Sequence, residues 1–394
     1  MMSKDKELRI YHELRDWPRP AYPFPDLVSP FIEDLADEYY EWIDADCQFE
    51  SRFAREAHKR HRLTDIAARA FPSLTIDELR PIARFTAFLA ILDDIMDHSD
   101  PNELNNVKRR ILAILTGDEQ TLPQPGFYRQ IHAIRQECLD CSMPIHLFDE
   151  FVSSIVELMN GYAREKAYNA KNEPPPFSVY QSIRRQTSGG LCYAKYLCIH
   201  ENYRNLSGEV FSHPAILRMH DLIARIIGYH NDFISLPKEL SREGDVVNIV
   251  SSIQRESGLE LKDAYMKALG VHDADLAEFV QLQSELPDFG QWQQKAKDYV
   301  ADLGTLVQGV YAWHVKNTGR YVPGAYVEPE DKVQLEATAT EKNSPLSAYD
   351  AVGRLTAKAT STPFFARARS FLPFTHLFRL FWILAGLAIL TTYL

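Results

Sequence analysis

The chain has 394 residues, 45% hydrophobic and 25% charged, with a formal net charge of −11. Such a composition describes a globular protein with a sizeable core, one large domain or two ordinary ones, and excludes a disordered chain. The acidic balance also argues against a nucleic-acid binder, which would present a basic face. Five cysteines are odd in number, and Cys138-x-x-Cys141 lacks the second pair that a four-ligand zinc site needs, so they read as reduced thiols.

In chain order, the amino terminus Met-Met-Ser-Lys-Asp-Lys-Glu is polar and carries no apolar signal segment, so the body is expected in the cytosol. Residues 1–30 read as a Pro-rich arm lying on the body, because Trp17-Pro-Arg-Pro-Ala-Tyr-Pro-Phe-Pro25 cannot be helical. From there to residue 326 the patterns are helical, with breaks near Ser73, Pro101, Gly117–Gly126, Asn172–Pro176, Glu201–Pro214 and Leu240–Gly244. No stretch shows convincing strand alternation. A single all-α domain over 31–326 is the expectation.

Within it, Phe85-Thr-Ala-Phe-Leu-Ala-Ile-Leu-Asp93-Asp94-Ile-Met-Asp97 is an apolar helical run ending in three carboxylates. Asp93 and Asp97 are four apart and share a face, with Asp94 about 100° round. Acids on so apolar a helix call for a metal or a basic partner. Next comes Ser182-Ile-Arg184-Arg185-Gln-Thr-Ser188-Gly189-Gly190, where two glycines in a helical pattern mark either a close helix contact or a broken helix facing a ligand. In Asn231-Asp232-Phe-Ile-Ser235-Leu-Pro237-Lys238-Glu239 the amide, hydroxyl and carboxylate stand at successive steps of four on one stripe. That is an all-oxygen ligand set suited to Mg²⁺. Pro237 predicts a kink or helix end there. Finally Trp313-His-Val-Lys-Asn-Thr-Gly319-Arg320-Tyr321 closes a long helical run, with the glycine placed to aim a basic and a phenolic group at an anion.

Residues 327–370 turn polar and read as a linker. Residues 371–394 are apolar, and as a helix Phe374 to Leu394 would extend about 31 Å, the thickness of a bilayer core. Arg379 would snorkel to the headgroups beside Arg367 and Arg369. The expectation is a membrane anchor, with an interfacial helix or an apolar cap on the body as the alternatives.

These four internal stretches together resemble the class I terpene synthases (terpene cyclases) of bacterial and fungal type, over about residues 20–326. Asp93-Asp94-Ile-Met-Asp97 is similar to the family's aspartate-rich motif. Asn231, Ser235, Lys238 and Glu239 match its second metal motif, and Arg320-Tyr321 its carboxyl-terminal Arg-Tyr pair. Arg185 stands forty-six positions before Asn231, where the family keeps its diphosphate-sensing arginine, and Gly189 falls at the effector position whose carbonyl faces the substrate. Ser188 departs from the family's linking aspartate.

The resemblance implies a helical bundle around a cavity and three Mg²⁺ ions. Asp93 and Asp97 would hold metal on one wall, and Asn231, Ser235 and Glu239 on the other. Arg185, Lys238, Arg320 and Tyr321 would bind the diphosphate, and Phe85, Phe88 and Trp313 would line the cavity. The implied reaction is ionisation of a prenyl diphosphate, with farnesyl diphosphate giving a sesquiterpene preferred over geranylgeranyl diphosphate giving a diterpene. A chain-elongating prenyltransferase would carry a second aspartate-rich motif in place of Asn231, Ser235 and Glu239. The implied partners are the prenyl diphosphate and, through the tail, an intracellular membrane; the sequence leaves open whether the chain forms a homodimer.

Overall fold

The computed structural model describes residues 2–323 except 48, 50, 51, 99, 100 and 120, and of residues 2–4, 93–98 and 101 the backbone only. The linker 327–370 and the apolar tail 371–394 lie outside the described residues. In chain order the α-helices are α1 (Met2–Leu14), α2 (Ile32–Asp46), α3 (Arg52–Arg60), α4 (Asp65–Ala70), α5 (Ile76–His98), α6 (Pro101–Thr116), α7 (Phe127–Asp140) and α8 (Ile145–Asn169). They continue as α9 (Phe177–Thr187), α10 (Gly190–Tyr196), α11 (Gly208–Ser212), α12 (Pro214–Ser241), α13 (Ile249–Ser257), α14 (Leu261–Ser284) and α15 (Gln293–Ala312). Among the described residues no strand forms, and no helix is long and apolar enough to cross a membrane.

Local chemistry sets the ends of the helices that matter here. Ahead of α5, the Thr75 hydroxyl accepts the Glu78 amide at 3.3 Å and the Glu78 carboxylate accepts the Thr75 amide at 3.1 Å, a reciprocal cap. Pro214 opens α12, where its missing donor costs nothing. Of the kink or helix end expected at Pro237, the helix end falls four residues later: α12 runs through the proline to Ser241. The proline falls in the penultimate turn, and the Ser241 hydroxyl, donating to the Lys238 carbonyl at 2.6 Å, closes the last one.

Helix α12 is the axis of the molecule, packed by α1, α9, α10, α14 and α15, while α5 packs on α7 and α4. Behind α12, Tyr180, Ile183, Tyr229, Phe233, Leu236, Ile249 and Tyr265 form a buried cluster.

The amino-terminal arm is shorter than the prolines suggested. Residues 2–14, free of proline, form α1 on α12, and the extended part starts at Trp17. From it the Tyr22 hydroxyl reaches His230 Nδ1 on α12 and His272 Nε2 on α14, both at 2.8 Å. His272 Nδ1 lies 2.9 Å from the Asp273 carboxylate, which only accepts, so that nitrogen carries the hydrogen. Burial holds His272 below its usual pKa and therefore neutral. Tyr22 must then donate to His272 and accept from His230, which gives the buried chain one direction throughout.

Candidate active site

A cavity of about 220 Å³ opens beside α12. Asn231, Ser235, Lys238 and Glu239 line it from that helix, Thr86, Leu89 and Ala90 from α5, and Arg320, Tyr321 and Trp313 from the segment after α15. The remaining wall includes Leu63, Ile66, Tyr193, Ile227 and Val310. The structure thus brings together most of the polar residues that the sequence motifs single out. The backbone of α5 continues through Asp93 and Asp97, whose side chains lie outside those described.

On α12 the Asn231 amide is oriented from both sides. Its nitrogen donates to His314 Nε2 at 3.0 Å and to the Tyr321 hydroxyl at 2.8 Å, while its oxygen accepts from Arg184. His314 can play this part because its Nδ1 donates to the Val310 carbonyl at 2.9 Å, leaving Nε2 as the acceptor. Burial pulls its pKa down to about 3, so it is neutral. A π-helical turn, Trp313–Asn317, ends this helical run and turns Trp313 and His314 inward. Gly319 follows, its amide donating to the Arg60 carbonyl at 3.1 Å.

Glu239 accepts from Asn248 Nδ2 at 2.7 Å, and burial, reinforced by Asp232, pushes its pKa up to about 7. Asn248 also donates to the Asp232 carbonyl at 3.0 Å, and its own oxygen caps α13 by accepting the Val250 amide at 2.8 Å. Lys238 stands 3.6 Å from Asp245, and Arg320 lies 3.5 Å from His61 Nδ1.

The two adjacent arginines of α9 part company. Arg185 turns to the outer side and pairs with Asp221 at 2.6 Å and Glu157 at 2.9 Å; it does not line the cavity. Arg184 does, ion-paired at 2.6 Å with Asp232, a fully buried carboxylate that also accepts Tyr180 Oη at 2.5 Å and the Ile249 amide at 2.7 Å. Burial opposes the Arg184 charge, but Asp232 and Glu165 outweigh it and hold the guanidinium protonated. Gly228 makes this possible, since a Cβ there would sit 2.5 Å from Arg184 Cγ. The sequence could not separate Arg184 from Arg185, because neighbours on a helix differ by about 100° and only the packing says which one faces inward. Asn248 was likewise missed, although an Asn directly before the apolar Ile-Val of α13 is a legible cap.

The Gly189–Gly190 pair is both a close helix contact and a helix break, but the break does not turn the Gly189 carbonyl to the cavity, as the effector reading required. Gly189 adopts the left-handed region, φ +75°, and breaks α9 from α10, while a Cβ on Gly190 would lie 2.6 Å from Ala224 Cα on α12. The Gly189 carbonyl accepts the Tyr193 amide at 3.1 Å, and Gly189 itself is not in the cavity wall. Ser188 is, its hydroxyl accepting the Gly190 amide at 3.1 Å.

Of the aromatic residues expected in the wall, Trp313 is there, donating Nε1–H to the Arg62 carbonyl at 2.8 Å. Phe85 and Phe88 are not: Phe85 packs edge-on to Phe151 at 5.4 Å and Phe88 stacks on Phe127 at 4.7 Å. The reason is helical phase, for the face of α5 that meets α7 and α8 is not the face of Thr86, Leu89 and Ala90.

The family model "Terpene synthase family 2, C-terminal metal binding" matches residues 84–278, a span that includes both metal motifs and stops short of Arg320-Tyr321. The chain belongs to the terpene synthase family and is an enzyme of that class. It is 26% identical over 306 residues to germacrene A synthase of Nostoc punctiforme, covering 74% of this chain and 91% of that one. It is 24% identical over 317 residues to a 7-epi-alpha-eudesmol synthase of Streptomyces viridochromogenes described as (2E,6E)-farnesyl diphosphate cyclizing, over 76% and 90% of the two chains. The crystal structure of an α-eudesmol synthase superposes with a TM-score of 0.64 at 22% identity, over 76% of this chain and 99% of that one, and so shares the fold.

Proposed function

We propose that the protein ionises farnesyl diphosphate and closes the released carbocation to a sesquiterpene, with diphosphate as the second product. The observation that carries this reading is the meeting of three oxygen donors from one helix with Arg184, Lys238, Arg320 and Tyr321 on a single cavity that Leu63, Ile66, Leu89, Ile227, Val310 and Trp313 also line. The names of the relatives, which include a farnesyl diphosphate cyclase, point the same way.

The donor set fits a divalent metal: an amide oxygen, a hydroxyl and a carboxylate are hard ligands of the kind Mg²⁺ takes. Asn231, Ser235 and Glu239 would hold it. Asp93 and Asp97 would hold further ions, three in all; steps of three and four along α5 lead from Leu89 and Ala90 to these positions. Bound Mg²⁺ supplies the positive charge that neutralises the leaving diphosphate. The chain's own groups do the rest. Arg184, rather than Arg185, with Lys238, Arg320 and Tyr321 donates to the diphosphate oxygens as charge develops. Trp313, Leu63, Ile66, Leu89, Ile227 and Val310 surround the hydrocarbon chain and exclude solvent water, and the indole face favours nearby positive charge.

The test is a product assay by gas chromatography and mass spectrometry with geranyl, farnesyl and geranylgeranyl diphosphates, with Mg²⁺ and with EDTA. A cyclic product from farnesyl diphosphate, lost with EDTA, is expected. A cyclic product from geranylgeranyl diphosphate alone would make the enzyme a diterpene cyclase. Longer linear diphosphates would make it a prenyltransferase, and no product would overturn catalysis of this kind.

From the sequence we further infer that the linker 327–370 tethers the catalytic domain, on the cytosolic side, to an anchor at 371–394 in an intracellular membrane. Retention of the full chain in the membrane pellet after alkaline carbonate extraction is expected, and its release would refute the anchor.

A further inference from the structure

The cavity wall carries a polar feature that neither diphosphate binding nor metal binding uses. Tyr193, on α10, is 3% exposed and lines the cavity. Its ring sits over the Gly189 turn, with Cε2 and Cζ 3.6 Å from where a Gly189 Cβ would be, and stands edge-on to Phe71 and Phe85 at 6.3 and 6.2 Å. The ring is thus fixed by packing. Its hydroxyl makes no hydrogen bond among the described residues, although the other deeply buried tyrosines Tyr180, Tyr196 and Tyr299 all find partners.

On the other side of the same turn, Thr187 also lines the cavity, and its hydroxyl is buried without a partner. Two further hydroxyls of this wall are already engaged: Thr86 donates to the Leu63 and Ala83 carbonyls at 2.9 and 2.8 Å, and Ser188 accepts the Gly190 amide at 3.1 Å. A buried hydroxyl left unpaired destabilises the fold, so Thr187, with the unpartnered Tyr193 hydroxyl on the same cavity wall, asks for a ligand. A water molecule needs two or more polar partners, and these two hydroxyls stand on one cavity wall.

We propose that Tyr193 and Thr187 hold one water molecule against the reacting hydrocarbon, and that Tyr193 is thereby a specificity-determining residue. It sets whether the last carbocation is captured by water or loses a proton. In capture, the water oxygen forms a bond to the cationic carbon, and one of its protons leaves to the released diphosphate, giving an alcohol. Without the held water, a carbon-bound proton passes to the released diphosphate instead and the product is a hydrocarbon. The proposal rests on the cyclase reading above.

The experiment compares the full chain with its Tyr193→Phe and Thr187→Val variants, using farnesyl diphosphate and Mg²⁺ in ¹⁸O-labelled water, with products resolved by gas chromatography and mass spectrometry. The unaltered chain is expected to make a cyclic alcohol carrying ¹⁸O. Tyr193→Phe should lower the alcohol share relative to hydrocarbon by about fivefold, the loss of one hydrogen bond, and Thr187→Val should lower it to a lesser degree. Phenylalanine keeps the ring and its packing, so the shift reports the hydroxyl alone; should that variant not fold by circular dichroism, the threonine variant carries the test. Hydrocarbons alone from the unaltered chain, or an unchanged alcohol share in the folded variants, would overturn the proposal while leaving the cyclase reading intact. No product from any prenyl diphosphate would overturn both.

Discussion

The two sides of α12 carry polar groups of similar kind to opposite ends. Toward the cavity, Asn231, Ser235, Lys238 and Glu239 stand along a wall that is open to a ligand. On the far side, His230 and Asp232 are fully buried, and Asp232 is met by Arg184, Tyr180 and the Ile249 amide, as His230 is by Tyr22. Adjacent residues of one helix thus serve different purposes. What separates them is access: groups on both sides find protein partners, but those on the cavity side can exchange theirs for a ligand, whereas His230 and Asp232 are reached only by the protein itself.

The strongest way to sharpen this contrast is to remove a cavity-side oxygen. Asn231→Ala or Glu239→Ala should lower turnover by about a thousandfold or more, as losing a metal ligand would, while the helical circular dichroism is retained. Full activity in either would refute their assignment as ligands. On the closed side the expected loss is in stability. Asp232→Ala leaves the Arg184 guanidinium buried without its carboxylate and should cost about 3–5 kcal/mol in denaturant unfolding. A cost under about 1 kcal/mol would mean that the ion pair is not closed in the way described.

Arg184 spans both sides, and a paired substitution separates it from its neighbour. Arg184→Lys should reduce kcat/KM by about a hundredfold, because a point charge cannot replace the planar fork, whereas Arg185→Lys should cost about threefold or less. The reverse order would return the diphosphate contact to Arg185. A smaller effect is expected at the arm: Tyr22→Phe removes the hydroxyl between His230 and His272 and should cost about 1–3 kcal/mol of stability with product identity unchanged.

The smallest effect is a pH dependence at Glu239. Its folded pKa, raised to about 7 by burial, means that the metal-free protein gains stability as pH falls through 7 and loses it as pH rises. Metal needs the carboxylate, so binding of Mg²⁺ with inorganic diphosphate, followed by calorimetry, should weaken below about pH 7. In Glu239→Gln the pH dependence of stability between pH 5 and 8 should largely vanish. A flat stability profile in the unaltered chain would show that Glu239 is ionised throughout.

Much of this was legible in the sequence. Helical periodicity, the breaks at Pro101, Asn172–Pro176 and Glu201–Pro214, and the four-residue steps of Asn231, Ser235 and Glu239 depend on local spacing, and local spacing fixes which residues share a helical face. For the same reason the glycine pair at 189–190 could be seen to matter before its geometry was known. The tertiary structure decided what spacing leaves undetermined, namely how each helix is rotated about its own axis against its neighbours. That rotation turns Arg184 inward and Arg185 outward and sends Phe85 and Phe88 into the core in favour of Leu89 and Ala90. It also lets Tyr22 and His314 reach α12 from distant parts of the chain. Such contacts join residues up to 208 positions apart, and they arise from side-chain packing and the pairing of buried polar groups, which no short stretch of sequence encodes by itself.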